Sequence, residues 1–169
     1  MNIKIKEFES LYYLKECVCE KKLIVCGDMQ NRFFAIYLDG KIMLGIAYYH
    51  YGIDPQLLYS KDDGFLYLGF GMNFLGIDLY QERVVINKKL QSVFYEIMHD
   101  STKKRICIVC ELDLYCYVLG KIKWSMGVRD IITKYWLVND KNICILCDDG
   151  LNYELSLEFG KLVEANEQS

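Results

Sequence analysis

The chain has 169 residues, of which 53% are hydrophobic and 25% charged, and it carries a formal net charge of −3. A chain of this length buries about 70% of its unfolded surface, so it folds around a substantial core rather than staying disordered. Its mild acidity excludes a nucleic-acid backbone as the main partner, because no basic field is present to displace counterions. A basic protein partner fits the charge. The longest nearly apolar run, "IMLGIAYYHYGI" at 42–53, is too short for a bilayer-spanning helix and is interrupted by His50, so no membrane is expected. The start "MNIKIKEFES" has no apolar stretch of signal-peptide length behind its lysines. A cytoplasmic location is therefore expected, with the eight cysteines kept as thiols.

Fourteen tyrosines and eight phenylalanines, together with abundant Ile and Val, favour strands. Short apolar or alternating runs divided by Gly, Asp and Asn give the signature of an all-β chain. In chain order, "EFESLYYL" (7–14) is a lone predicted strand. A first unit follows with strands at 23–26, 33–38, 42–48 and 56–59. A second has 65–69, 74–79, 84–88 and 93–98, and a third has 105–110, 114–119, 121–125 and 131–138. A fourth has 143–147, 153–157 and 161–164 and lacks an outer strand. The turns "LDGKI" (38–42), "LGKIKW" (119–124) and "FGKLVE" (159–164) place Gly40, Gly120 and Gly160 on a spacing of about forty residues. Glycine supplies the positive φ that a tight hairpin needs. Tyr80 occupies the missing slot, so the second unit is expected to turn differently. The reading is of four repeated antiparallel meander units in one β-repeat domain over residues 1–169.

Two C-x-x-C spacings, "RICIVC" (105–110) and "NICILC" (142–147), suggest a zinc site. The residues between the cysteines are Ile108-Val109 and Ile145-Leu146, which are strand formers, and residues three apart on a strand face opposite ways. Cys107 and Cys110 are expected to diverge, as are Cys144 and Cys147, so neither metal nor any other cofactor is expected. A packing explanation accounts for more. Aligning "KLIVCGD", "FLYLGFG", "ICIVCEL" and "ICILCDD" puts Cys26, Gly69, Cys110 and Cys147 in one column, where a small residue suits crowded strands.

This pattern of apolar strand, small residue, polar hairpin, "Y-x-L" strand and G-K turn resembles quinoprotein-type and tryptophan–aspartate β-propeller blades. "RICIVCELDLYCYVLGKIKW" (105–124) carries the match best, with Trp124 after the G-K turn. The resemblance implies a propeller-like fold of four blades. Ring closure would come from the 7–14 strand pairing with the fourth unit. A two-sheet β-sandwich is the competing arrangement.

No catalytic constellation stands out, and an enzyme is not expected. His50 and His99 are the only histidines, too few for a metal hydrolase. "HD" at 99–100 reads as a strand end beside a turn, and "GFG" at 69–71 as a glycine pair in a β context. No G-x-S-x-G elbow or phosphate-binding loop is present. The loops after the first strand of each unit hold Asp28, then Gly71-Met72-Asn73, then Glu111 and Asp113, then Asp148 and Asp149. On one rim they would make a lysine-free acidic crown that steers a basic partner, although Asp, Asn and Gly also simply favour turns. Tyr49 and Tyr51 in "AYYHYGID" (47–54) are candidate anchors or covers for a blade core. As a class the chain resembles the small, often acidic immunity proteins of bacterial contact-dependent growth-inhibition systems. That resemblance implies a protein that occludes a cognate basic toxin, commonly a nuclease. A structural or adaptor module docking a peptide or subunit is the second reading, and an enzyme using loop carboxylates the third.

Overall fold

A computed structural model describes residues 2–61, 64–100 and 104–163. The chain forms two compact units, Met1–Asp54 and Pro55–Ser169. The architecture is all-β and propeller-like, built from blade-sized antiparallel sheets.

The first unit contains β1 (Ile3–Phe8), α1 (Leu11–Cys17), a single 3₁₀ turn at Glu20–Lys22, β2 (Leu23–Val25), β3 (Arg32–Leu38) and β4 (Lys41–Tyr48). Its sheet order is β1-β3-β4-β2. β3 and β4 form the expected hairpin, turning through Asp39 at φ 48° and Gly40 at φ 83°. Positive φ at both central residues gives the twist that matches paired strands.

Two expectations fail in this unit. The 7–14 segment is strand only up to Phe8, and β1 pairs antiparallel with β3 of its own unit, so it does not close a ring onto the fourth unit. From Ser10 the chain turns helical. The Ser10 hydroxyl accepts the Tyr13 backbone N–H at 3.4 Å, and Leu11, Leu14 and Val18 fall on one face. Residues 23–26 do not flank β3 either: β2 runs parallel to β4 on the opposite edge. The reason is at Gly45. A Cβ there would lie 2.9 Å from a Val18 methyl and 3.2 Å from a Leu23 methyl, so bare backbone admits the end of the helical segment and the start of β2.

The second unit holds β5 (Gln56–Ser60), β6 (Phe65–Phe70), β7 (Asn73–Asp78), β8 (Arg83–Lys89), β9 (Phe94–His99), β10 (Arg105–Cys110), β11 (Asp113–Val118), β12 (Lys121–Gly127), β13 (Ile132–Val138), β14 (Asn142–Cys147) and β15 (Asn152–Ser156). Its sheets are β5-β6-β7-β8, β9-β10-β11-β12 and β13-β14-β15. The strands lie where the repeat put them, but each sheet begins one strand earlier than the sequence unit. Short reversals such as the one closed by Gly64 N–H to Ser60 C=O fold β5 back on β6, whereas Leu90–Val93 carries the chain from one sheet to the next. The expected 161–164 strand is reduced to one bridge, Leu155 with Leu162, and residue 164 lies outside the described residues. The turn at Tyr80 differs as foreseen: the Asp78 carboxylate accepts the N–H groups of Tyr80 and Gln81, and Glu82 takes φ 48°.

Successive sheets of the second unit pack face to face. Tyr67 and Phe74 of one meet Phe94, Ile108 and Tyr117 of the next, with a ring series Phe65–Tyr67–Phe74–Tyr117 at 5.7, 6.0 and 5.1 Å. Val109 and Leu114 then meet Ile143, Ile145 and Leu155 of the third sheet. Strand alternation separates the C-x-x-C sulfurs. Cys107 enters the second of these cores and Cys110 the first. The small-residue column holds at three positions. A Cβ on Gly69 would sit 2.1 Å from the Phe94 ring, and Cys110 and Cys147 are buried. Cys26 departs from the column, because it follows the parallel β2 and is only half-buried. Trp124 proves to be a packing residue. Its ring occupies the space a side chain on Gly160 would need, and its indole N–H donates to Leu157 C=O at 2.9 Å.

Candidate functional site

Within the second unit the loops at one end of the sheets are tied into a continuous rim. Leu90 N–H donates to Met72 C=O, and Phe94 N–H to Gly71 C=O. Glu111 N–H donates to Val93 C=O, Ile132 N–H to Glu111 C=O, and Asp148 N–H to Ile131 C=O, all at 2.8–2.9 Å. Each link between sheets thus donates to, or accepts from, the turn beside it. Backbone groups at strand ends need partners, and meeting that need loop to loop fixes the rim's shape.

Glu111, Asp148 and Asp149 stand on this rim. Asp148 and Asp149 are exposed and Glu111 is half-buried. Asp149 also shapes its turn, accepting the Leu151 N–H at 2.9 Å. Asp113 has a different place. It is only 6% exposed, and its Oδ2 accepts the Ser92 hydroxyl at 2.7 Å while Ser92 Oγ accepts the Leu112 N–H at 2.9 Å. A carboxylate held this way pins the β8–β9 link to the β10–β11 turn and is not free to steer a partner. The loops of this unit that make up the expected crown hold no lysine, but cations stand beside them. Lys89 ends β8 and Arg129 lies in the β12–β13 link, both exposed on the rim. Lys88 is drawn over the Tyr115 ring, 5.7 Å from its centre.

The rim displays apolar groups that charge and turn patterns did not reveal. Leu112, Ile131 and Leu151 are 37, 41 and 50% exposed, one in each of three neighbouring loops. An apolar residue at a loop tip is visible in a sequence, but its exposure depends on how the loops interlock.

The remaining candidates lie in the first unit. Asp28 is exposed in the loop between β2 and β3. Tyr49 and Tyr51 are 41 and 46% exposed and meet edge to face at 5.0 Å, so they form a surface pair rather than covering a core. Beside them is an ion-pair group that the sequence reading missed. Arg32 Nη1 lies 3.1 Å from both carboxylate oxygens of Glu7, and its Nη2 lies 3.4 Å from Asp54. His50 Nδ1 accepts the Gly52 N–H, leaving Nε2 to face Asp54 at 3.4 Å. These residues are spread over forty-eight positions of chain, and only the β1–β3 pairing brings Glu7 to Arg32.

The buried thiols of the sheets are poor nucleophiles. Burial pushes Cys26 and Cys116 up to about 11, and Cys107 and Cys110 further. Among the described residues no group of three or more His, Cys, Asp or Glu side chains could hold a metal ion. No helix among them is long and apolar enough to cross a membrane.

No protein-family model matches the chain, and no curated protein sequence matches it. Solved structures do. The chain is similar to Sqt1 of Saccharomyces cerevisiae, at 13% identity and TM-score 0.55 over 78% of this chain and 40% of that one. It is also similar to the β-propeller domain of Cps50 (Swd1) of Myceliophteria thermophila, at 13% identity and TM-score 0.51 over 66% of this chain and 38% of that one. BamB of Moraxella catarrhalis aligns at 11% identity and TM-score 0.49 over 86% of this chain and 48% of that one. The likeness is one of fold. The chain spans less than half the length of each of these structures.

Proposed function

We propose that this chain is a protein-binding module and that the loop rim of the second unit is its principal contact surface. The observation that carries this reading is the hydrogen-bonded rim presenting Leu112, Ile131 and Leu151 between Glu111, Asp148 and Asp149. A rigid frame loses little entropy on binding, and apolar side chains among charges are the make-up of a contact patch. The likeness to Sqt1 and to the Cps50 propeller domain supports the fold on which such a rim is built. The reading is of a cytoplasmic binding protein without catalytic activity; burial keeps Cys107 and Cys110 protonated, which removes those two as nucleophiles.

In its most specific form the partner is a basic toxin, occluded by the rim, with Asp148, Asp149 and Glu111 steering the approach. The rim cations Lys89 and Arg129 temper that field and favour the broader adaptor reading, in which affinity rests on the apolar groups. A host lysate passed over the immobilised chain and over a Leu112→Asp, Ile131→Asp, Leu151→Asp variant tests the rim. A protein retained by the first and released by the second supports it; an identical retained set refutes it. Neutralising Glu111, Asp148 and Asp149 to their amides then separates the two forms. Salt-sensitive binding that collapses on neutralisation indicates a basic partner, and binding that persists indicates an adaptor.

A further inference from the structure

β1 is an edge strand. Among the described residues its one sheet neighbour is β3, so its outer row of backbone donors and acceptors faces no strand. Such an edge is a template for one more strand. Two hollows adjoin it. One of about 260 Å³ is bounded by Lys4, Ile5, Lys6 and Tyr37, and one of about 420 Å³ by Lys6, Phe8 and Tyr13 together with Glu7, Glu9 and Glu16. The second hollow therefore suits an apolar side chain, and an occupant's carboxylates belong opposite the lysines. The two hollows share Lys6, so together they follow β1 along its length.

The pairing register sorts the side chains. Lys4, Lys6 and Phe8 stand opposite Tyr37, Ala35 and Phe33, which pack in the cluster beneath α1. These three therefore share the face of the sheet that carries the helix. Ile3, Ile5 and Glu7 take the other face, where Arg32 neutralises Glu7. Lys6 leans over the Phe8 ring at 5.2 Å, and among the described residues neither Lys4 nor Lys6 has a carboxylate partner.

This pattern selects the occupant. A second copy would add its own β1 about a two-fold axis perpendicular to the sheet, and that operation keeps each face on its own side. Every centred register of such a pair sets Lys4 against Lys4, Lys4 against Lys6, or Lys6 against Lys6. Like charges directly opposite one another destabilise a sheet, and carboxylates in their place stabilise it. The edge therefore disfavours its own copy and suits an acidic strand.

We propose that the free edge of β1 binds an extended acidic peptide by adding it as an antiparallel strand. Two carboxylates at alternate positions lie opposite Lys6 and Lys4. An apolar side chain two residues before the first carboxylate lies opposite Phe8, in the hollow beside Tyr13. Antiparallel addition gives the stronger ladder per residue. This surface belongs to the first unit and is independent of the rim proposed above.

The probe is a blocked, fluorescein-labelled peptide, Thr-Phe-Thr-Glu-Thr-Glu-Thr, titrated with the full chain and read by fluorescence anisotropy. Saturable binding is expected. Replacing both exposed lysines (Lys4→Glu with Lys6→Glu) weakens it about tenfold, because two attractive cross-strand pairs become repulsive. A peptide with lysine in place of glutamate restores binding to that variant. N-methylation of one alternate set of peptide amides abolishes binding, and of the other set leaves it intact, as strand addition requires. The rim variant with Asp at positions 112, 131 and 151 binds the peptide like the parent chain, so the two surfaces fail or succeed separately. The proposal is overturned by absence of saturable binding, by undiminished affinity in the double lysine variant, or by indifference to both methylation patterns. A β1-mediated dimer that the peptide cannot dissociate overturns it as well.

Discussion

The β3–β4 hairpin of the first unit and the β11–β12 hairpin of the second are nearly the same object. Each turns on two residues of positive φ, Asp39-Gly40 in one and Leu119-Gly120 in the other. What flanks them differs. β11 is followed on its other side by β10, the preceding strand in the chain, whereas β3 is flanked by β1 and β4 by a parallel β2. A glycine marks each choice. Gly69 in β6 leaves room for the Phe94 ring of the next sheet, and Gly45 in β4 leaves room for Val18 and Leu23 of the helical insertion. The hairpin is thus the constant part of the repeat, and a bare glycine is where each unit admits a close neighbour, a ring of the next sheet at Gly69 and the helical segment at Gly45.

The comparison can be broken most severely at Phe94, which is fully buried between two sheets. Phe94→Ala is expected to cost about 3–5 kcal/mol, measured by urea unfolding. Leu14 is the matching anchor of α1 and is also fully buried. Leu14→Ala is expected to cost about 2–4 kcal/mol, with loss of amide protection concentrated in α1 and β3.

Gly69→Ala tests the gap itself: the added methyl would overlap the Phe94 ring, at a cost of about 1–3 kcal/mol. Combined with Phe94→Ala it should add almost nothing, because the clash has gone; strict additivity would show that Gly69 is small for another reason. Ser10→Ala removes the α1 cap and should cost about 1 kcal/mol, visible as earlier exchange of the helix amides.

The last test asks whether the two units differ in electrostatics as they do in topology. Burial pushes Tyr48 of the first unit and Tyr117 of the second to about 12, and Cys26 and Cys116 to about 11. An acid with a raised folded value keeps its proton longer when folded than when unfolded. Its contribution to stability is therefore complete below the unfolded value and is lost as pH rises from there through the folded one. Alkaline titration from about pH 9 upward, followed by exchange protection, should destabilise both units, and the second more steeply, because burial there also raises Cys107, Cys110 and Tyr135. Loss that begins in the first unit and spares the second would show that burial of these groups does not govern the alkaline limit.

How far these features could be read in advance follows from the range of the forces involved. β10 lies at Arg105–Cys110, where its apolar run and flanking turns put it, because alternation and turn preference act within a few residues. The divergence of Cys107 and Cys110 was legible for the same reason. The assignment of strands to sheets was displaced by one strand, since repeat spacing is blind to which connection is a hairpin and which is a link. α1 escaped notice because seven residues are too few for helical periodicity to show. The burial of Asp113 was not legible because its carboxylate accepts the hydroxyl of a serine twenty-one positions away.

Strand positions, hairpin turns and the opposed faces of paired cysteines were determined by the sequence alone, through local backbone sterics and the two-residue alternation of side chains. The tertiary structure alone decided the parallel placement of β2, the open edge of β1 and the interlocked rim that exposes Leu112, Ile131 and Leu151. These depend on which distant surfaces fit together, and close packing between segments far apart in the chain leaves no periodic trace in the order of residues.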